Sequence, residues 1–80
     1  DDAIPAGMLP VTAPLTACVW KVDVAPGQRV EAGQRVAVLE AMKMEFAVVA
    51  DVAGAVDWIG CRPGQMVSAG QPLVGVSAHA

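Results

Sequence analysis

Short hydrophobic runs, several of them alternating with polar residues, follow one another along this chain and are separated by glycine and proline. In one such run Trp20, Val22 and Val24 occupy alternate positions, so they are predicted to share one face of a strand. Lys21 and Asp23 fall between them and are predicted to lie on the opposite face. Because glycine and proline recur too closely for a helix of ordinary length, the pattern predicts β-strands throughout.

The chain also contains an internal repeat. Residues 26–34 (Pro-Gly-Gln-Arg-Val-Glu-Ala-Gly-Gln) recur as residues 63–71, an offset of 37, with seven of nine positions identical. The same offset pairs Val19 with Val56 and matches further hydrophobic positions elsewhere. Two copies are too few for a solenoid, which needs three or more repeats. The repeat therefore predicts two half-domains packed around a pseudo-twofold axis.

Two turn signals recur in each copy. Pro-Gly, at residues 26–27 and 63–64, favours a tight turn because proline fixes φ and glycine accepts a positive φ. Ala-Gly-Gln, at residues 32–34 and 69–71, marks a second turn. Strands and turns together predict an all-β domain in which two small antiparallel sheets form a flattened sandwich or barrel.

The predicted domain covers residues 11–77. Residues 1–10 contain two prolines and a glycine and are interpreted as the end of a linker. Residues 78–80, which include the single histidine, His79, are interpreted as a tail. The chain opens with Asp1 and lacks an initiator methionine, so we expect it to be part of a longer polypeptide.

Length and charge narrow the classes of function. Eighty residues form one domain, which buries only about 60% of the surface that its unfolded chain exposes. The net charge of −3 argues against nucleic-acid binding, which requires clustered Lys and Arg. No hydrophobic run approaches the roughly 20 residues that span a bilayer, and no signal peptide is evident. We expect no membrane association and a cytoplasmic location, or the mitochondrial matrix in a eukaryote.

No set of side chains indicates catalysis or metal binding. Cys18 and Cys61 are too few for a disulfide scaffold, match no zinc spacing and are interpreted as small, half-buried hydrophobic side chains. The chain has one histidine, no Ser/His/Asp arrangement and no glycine-rich phosphate loop. We therefore predict a domain without catalytic or metal-binding residues of its own.

The most distinctive stretch is Glu-Ala-Met-Lys-Met-Glu at residues 40–45. Hydrophobic runs precede and follow it, so it lies where one predicted strand reverses into the next. Only five residues of the chain are basic, and Lys43 stands alone at this reversal. The stretch lies between the two copies of the repeat, so the offset of 37 relates Lys43 to positions 6 and 80, near the two ends of the chain. The twofold therefore predicts that the chain termini lie together, at the end opposite Lys43.

Residues 40–44, Glu-Ala-Met-Lys-Met, resemble the biotin attachment motif of the biotin carboxyl carrier domains, and the resemblance extends from about residue 11 to residue 76. It implies that biotin is the cofactor and is attached covalently to Lys43. It also implies a flattened barrel-sandwich of two four-stranded antiparallel sheets. The constant offset of the repeat leaves no room for the protruding thumb of some carriers, which favours the thumbless carriers of multidomain carboxylases.

The resemblance also suggests roles for the neighbours of the lysine. Ala41, Met42 and Met44 would lie beside the cofactor, although the two methionines could equally be simple hydrophobic cover for a hairpin. Glu40 and Glu45 would contact the modifying ligase, and the competing interpretation is that they are solvated strand residues.

Several partners are implied by the same resemblance. A biotin protein ligase would acylate the lysine from biotinyl-adenylate, because the sequence offers no base to activate Lys43. A biotin carboxylase, using ATP and bicarbonate, and a carboxyltransferase would then use the attached biotin. Residues 19–22 and 26–34 are most similar to the carrier end of urea carboxylase or urea amidolyase, while acetyl-CoA, propionyl-CoA and pyruvate carboxylases remain open. The isolated fragment is expected to be a monomer.

Two other interpretations of the whole domain stay open. A lipoyl carrier domain would share the fold, the repeat and the hairpin lysine, but such domains usually have acidic and small residues beside the lysine. A non-acylated barrel-sandwich adaptor would have no need of the motif.

Trp20 and Trp58 are interpreted first as core or half-buried strand residues and second as contacts for partner domains. Ala17 stands where many carriers have glycine, so the turn there is expected to differ.

Overall fold

The computed structural model describes residues 7–77, and all regular secondary structure in this range is β-strand. None of these residues belongs to a helix long and apolar enough to cross a membrane. The eight strands are β1 (Leu9–Thr12), β2 (Ala17–Val22), β3 (Arg29–Val30), β4 (Arg35–Ala41), β5 (Met44–Val49), β6 (Gly54–Ile59), β7 (Met66–Val67) and β8 (Pro72–Ser77).

The strands form two four-stranded sheets in which every pair of neighbours is antiparallel. One sheet has the order β1-β8-β6-β3 and includes the first and last strands, so we name it the terminal sheet. The other has the order β5-β4-β2-β7 and includes the strands on either side of Lys43, so we name it the lysine sheet. The predicted flattened barrel-sandwich of two four-stranded antiparallel sheets is confirmed.

An offset of 37 residues converts one sheet into the other. It maps β1, β6 and β3 of the terminal sheet onto β5, β2 and β7 of the lysine sheet, and β4 onto β8. Hydrogen bonds repeat with the same offset: Val19 N donates to Gln65 O and Val56 N donates to Gln28 O, both at 2.8 Å. The predicted pseudo-twofold therefore relates whole sheets, and each half of the chain contributes strands to both.

The repeated turns explain why the two copies are most alike outside the strands. Gly27 and Gly64 follow the repeated prolines with φ of +89° and +90°, a region that glycine enters without steric penalty. The next residue in each copy is a glutamine whose side-chain oxygen accepts a backbone N–H three residues earlier, at 3.2 Å for Gln28 and 3.0 Å for Gln65. These turns need particular residues, whereas a strand needs only a hydrophobic side chain of suitable size.

The core between the sheets is built from small aliphatic side chains. Leu39 and Leu73, one from each half, are fully buried, together with valines from most of the strands. Ala17, which stands where many carriers have glycine, begins β2 and is 2% exposed. No side-chain nitrogen or oxygen in the described part of the chain is buried without a hydrogen-bond partner. Hydrophobic burial is therefore the main stabilising term.

The predicted alternation through Trp20 is wrong. The pairing of β2 with β4 shifts register between Val19 and Lys21, so Trp20 is an extra, unpaired residue of a β-bulge. The bulge resets the faces, and Trp20 is 49% exposed rather than part of the core. Trp58 is half-buried, as interpreted, and its ring covers Gly60 so closely that a Cβ at Gly60 would collide with it.

The first strand begins at Leu9, so the predicted domain boundary at Val11 falls inside β1. Leu9 pairs with Val76, which places the two ends of the described chain side by side. β5 leads away from Lys43 to Val49, and the next strand, β6, begins at Gly54, which lies close against Ser77. The described ends thus lie at the pole away from Lys43. Residues 1–6 and 78–80, assigned to a linker and a tail with His79, lie outside the described residues.

Burial raises the pKa of the Cys61 thiol above its ordinary value of 9.0. Above about pH 9 the unfolded chain releases the thiol proton that the folded protein still holds. The contribution of Cys61 to stability is therefore fully present below about pH 9 and is lost as the pH rises toward the folded pKa. Cys61→Val, which copies the buried symmetry-related residue Val24, is expected to remove this alkaline loss. Urea unfolding of both proteins at about pH 7.5 and pH 10 measures it, and parallel losses would contradict the prediction.

Candidate functional site

Lys43 lies in a two-residue turn between β4 and β5. Ala41 pairs with Met44 at the base of the turn, so Met42 and Lys43 are the only residues that link the two strands. Their φ angles are +54° and +66°. Positive φ at both central positions defines a type I′ turn, whose twist matches that of the flanking strands.

This turn is occupied by residues that it does not favour. Type I′ turns prefer Asn-Gly, because an L side chain at positive φ costs about 1–2 kcal/mol. Met42 and Lys43 are the only non-glycine residues with positive φ in the described part of the chain. Unfavourable backbone conformations of this kind concentrate at functional sites, where a side chain is needed for another purpose. The turn therefore indicates that its side chains have been kept for function.

The strands beneath the turn form a firm base. β4 lies between β5 and β2, so both of its edges are hydrogen-bonded. One residue before Glu40, Leu39 is fully buried and pairs with Val19 on one side and Phe46 on the other. The lysine is thus presented on an exposed tip that stands on an ordered sheet, which suits a side chain that another protein must reach.

Glu40 and Glu45 face each other across β4 and β5. Both side chains are exposed, and within residues 7–77 neither carboxylate forms an ion pair with a basic group. Like charges directly opposite each other on a sheet are mildly destabilising. The base of the hairpin therefore bears two uncompensated negative charges that a basic partner surface would neutralise.

The structure brings the predicted site residues together on one hairpin. Met42 is 93% exposed and Met44 is 60% exposed, whereas Ala41 is half-buried at the base of the turn. Both methionine side chains therefore have more than half of their surface open to solvent. Trp20, interpreted only second as a partner contact, and Met66, which no motif marks, are both exposed on the same sheet. The signal in the sequence is that each replaces a charged residue of the other repeat copy.

The site has the chemistry of an attachment point rather than a binding pocket. A primary amine on a flexible four-carbon stem needs only to be reachable to form an amide, and Lys43 is exposed at the tip of the hairpin. Covalent biotin is held by one such bond, so these residues fit it without a surrounding cavity. Among residues 7–77, no three His, Cys, Asp or Glu side chains gather as metal ligands would.

Relieving the turn is expected to stabilise the protein. Met42→Asn places a residue that tolerates positive φ at the first turn position, and should add about 0.5–1 kcal/mol to the free energy of unfolding. Urea denaturation measures the gain. Met66→Asn, at an exposed methionine in a strand, is the matched control and should give none. Equal changes in both variants would show that the gain does not come from the turn.

Comparison with known proteins places this hairpin in a family. The chain is 46% identical over 67 residues to a protein of Emericella nidulans named for urea carboxylase, and that alignment spans 80% of this chain and 5% of the relative. It is 44% identical over 59 residues to the biotin/lipoyl attachment protein of Bacillus subtilis, spanning 74% of this chain and 81% of the relative. The chain thus corresponds to a small part of one relative and to most of the other.

A solved structure and a family model agree with these relatives. The structure of a single-chain, multi-domain long-chain acyl-CoA carboxylase superposes with a TM-score of 0.86 at 31% identity, covering 96% of this chain and 8% of that one. The model of the biotin/lipoyl attachment domain, described as "Biotin-requiring enzyme", matches residues 5–76. The chain therefore belongs to the biotin/lipoyl attachment family of biotin-requiring enzymes.

Proposed function

We propose that this domain is a biotin carboxyl carrier in which Lys43 bears biotin through an amide bond. The observation that carries the proposal is the position of Lys43, exposed at the tip of a strained type I′ turn within the Ala-Met-Lys-Met motif. The attached biotin supplies a carrier for a carboxyl group, and the protein supplies its position.

Attachment is an acyl transfer that this chain cannot perform alone. The lysine nitrogen forms a bond to the acyl carbon of an acyl-adenylate, AMP leaves, and the nitrogen loses its proton. Among the described residues, Lys43 has no carboxylate within ion-pair distance and no histidine beside it that could take the proton. A biotin protein ligase is therefore proposed to supply both the acyl donor and the base.

The flanking residues are proposed to mark the lysine for that ligase. Met42 and Met44 offer flexible, polarizable surface on either side of the amine. Glu40 and Glu45 offer paired negative charge immediately below it. The same methionines would lie beside the biotin once it is attached.

The host is proposed to be a multidomain biotin-dependent carboxylase, in which a biotin carboxylase and a carboxyltransferase share this carrier. The similarity to the Emericella nidulans protein supports urea as the acceptor. The similarity to the acyl-CoA carboxylase structure supports the multidomain arrangement but a different acceptor. Bicarbonate-dependent ATP turnover by the parent enzyme, measured with urea and with acyl-CoA substrates in turn, distinguishes the two.

The intact mass of the 80-residue chain, measured after incubation with biotin, ATP and a biotin protein ligase, tests the carrier function. A gain of one biotinyl group is expected. A folded chain that gains none would contradict the proposal. A parallel incubation with lipoate and a lipoyl ligase would then reveal whether the lysine takes that acyl group instead.

A further inference from the structure

The outer face of the lysine sheet carries a continuous row of side chains beside the hairpin. The inner pairs Val19–Leu39 and Ala17–Val67 are buried in the core, so the alternate positions point away from it. Across strands β7, β2, β4 and β5, the outer row consists of Met66, Cys18, Glu40 and Glu45. This row connects an exposed methionine at one edge of the sheet to the acidic pair at the base of the hairpin.

Trp20 is on this outer face, because it is 49% exposed and directly follows the buried Val19. It is two residues beyond Cys18, the partner of Met66, which places that methionine within reach of a large side chain. The Nζ atom of Lys21 lies 5.2 Å from the centroid of the Trp20 ring. Lys21 in turn lies 3.9 Å from Asp23, whose carboxylate accepts a 2.8 Å hydrogen bond from Arg35. This chain of contacts orients an indole ring that is 49% exposed.

We name Trp20, Met66 and Cys18 the tryptophan patch. Met66 is 63% exposed and Trp20 is 49% exposed, so the patch presents hydrophobic surface to solvent. Large hydrophobic side chains exposed side by side are a mark of interaction sites, in contrast to single exposed residues. Trp and Met are also enriched at protein–protein interfaces.

The pseudo-twofold provides an internal control for this patch. The symmetry-related position of Trp20 is Asp57, and that of Met66 is Arg29, both exposed and charged. The bulge, the strand pairing and the burial pattern of β2 recur in β6, so the fold itself does not require hydrophobic side chains at these positions. The patch therefore reflects a requirement that applies only to the face beside Lys43.

Trp58, the tryptophan of the other sheet, shows the difference. It occupies the position related to Lys21 and lies against its own chain at Gly60, where it is half-buried. Its ring is part of the fold of the terminal sheet. The Trp20 ring, by contrast, contacts Lys21 and is exposed to solvent.

We propose that the tryptophan patch is the docking surface for the biotin protein ligase, an inference that rests on the proposed function of Lys43. A typical stable interface covers about 800 Å² on each partner, so a protein docked at the hairpin must also cover the neighbouring sheet face. Neighbouring strands are about 4.8 Å apart, so Cys18 lies about 5 Å, and Met66 about 10 Å, from Glu40 at the base of the hairpin. The patch lies within such a footprint.

Reach selects the ligase over the carboxylase domains as the occupant. The ligase acts on the lysine nitrogen itself, at the end of a four-carbon stem, so its active site must be pressed against the hairpin. An enzyme that acts on the far end of the attached cofactor stands farther from the sheet. The ligase surface that fits has a hydrophobic depression for Trp20 and basic side chains opposite Glu40 and Glu45.

Steady-state biotinylation of the 80-residue chain by a biotin protein ligase tests this. Trp20→Ser is expected to raise the KM for the chain about tenfold while kcat changes less than about twofold, because an interface tryptophan commonly contributes this much to binding. Trp20→Asp, which installs the residue that the other half has on the same bulge, is expected to do the same. Trp58→Ser, which removes the same side chain from the opposite sheet, is the matched control and should leave the KM unchanged. Thermal unfolding confirms that each variant is folded at the assay temperature.

The outcomes separate the two proposals. A wild-type chain that takes no biotin defeats the proposed function of Lys43. A wild-type chain that is biotinylated, with Trp20→Ser matching its kcat/KM, overturns the docking surface alone, even if later carboxyl transfer is slower. An equal rise in KM for Trp58→Ser also overturns it, since the effect would then not be specific to this face.

Discussion

A chain carrying Lys43→Arg is expected to gain no biotinyl group under conditions in which the wild-type chain is fully converted. Arginine keeps the positive charge and similar length, but its guanidinium is always protonated and does not act as the acyl acceptor that a lysine amine can be. Stability should change by no more than about 0.5 kcal/mol, because the side chain is exposed. Intact mass after incubation with ligase, biotin and ATP measures the modification.

The sequence provides an unusually clean control, since Lys21 is its only other lysine. Lys21 lies on the sheet face, beside Asp23 and the Trp20 ring, rather than at a turn. Lys21→Arg should therefore take one biotinyl group. Its KM for the ligase should change only as far as the loss of the Lys21 contact alters the orientation of the Trp20 ring. If the Lys43→Arg chain gained biotin and the Lys21→Arg chain did not, the attachment site would be Lys21 on the sheet face.

The fold could be predicted from the sequence because its repeat is carried by turns. Pro-Gly-Gln and Ala-Gly-Gln fix particular backbone angles and side-chain hydrogen bonds, so they recur almost unchanged and reveal the offset. Once the offset is known, symmetry supplies the rest of the topology. Lys43 could be identified from the Glu-Ala-Met-Lys-Met motif at a strand reversal, and the repeat then placed it between the two copies.

The face of Trp20 could not be predicted in the same way. Alternation assumes an unbroken period of two, and the bulge after Val19 inserts one residue that no local sequence signal marks. The opposition of Glu40 and Glu45 was likewise open until the turn length was known, because one more turn residue would have shifted the pairing. Both features are set by register, which depends on contacts between strands rather than on the residues of one strand.

Leu39→Ala is expected to lower the free energy of unfolding by about 2–5 kcal/mol. Leu39 is fully buried between Val19 and Phe46, so the change removes hydrophobic contacts and leaves a cavity that small neighbouring side chains cannot fill. A domain of this size has roughly 4–12 kcal/mol of total stability, so one substitution removes a large fraction of it. Urea denaturation, with the midpoint and slope fitted together, measures the loss.

Leu9→Ala is the matched control, because it deletes the same atoms from a side chain that is 45% exposed, and it should cost about 1 kcal/mol or less. Equal losses would mean that Leu39 is not the central contact.

The effect of Leu39→Ala on biotinylation separates stability from recognition. Leu39 does not reach the surface, so at temperatures where the variant is folded its biotinylation should have wild-type kinetics. Because β4 both buries Leu39 and ends at the turn, activity should then fall along the same curve as folding when the temperature rises. A loss of biotinylation well below the unfolding transition would instead show that the core sets the shape of the hairpin as well as its stability.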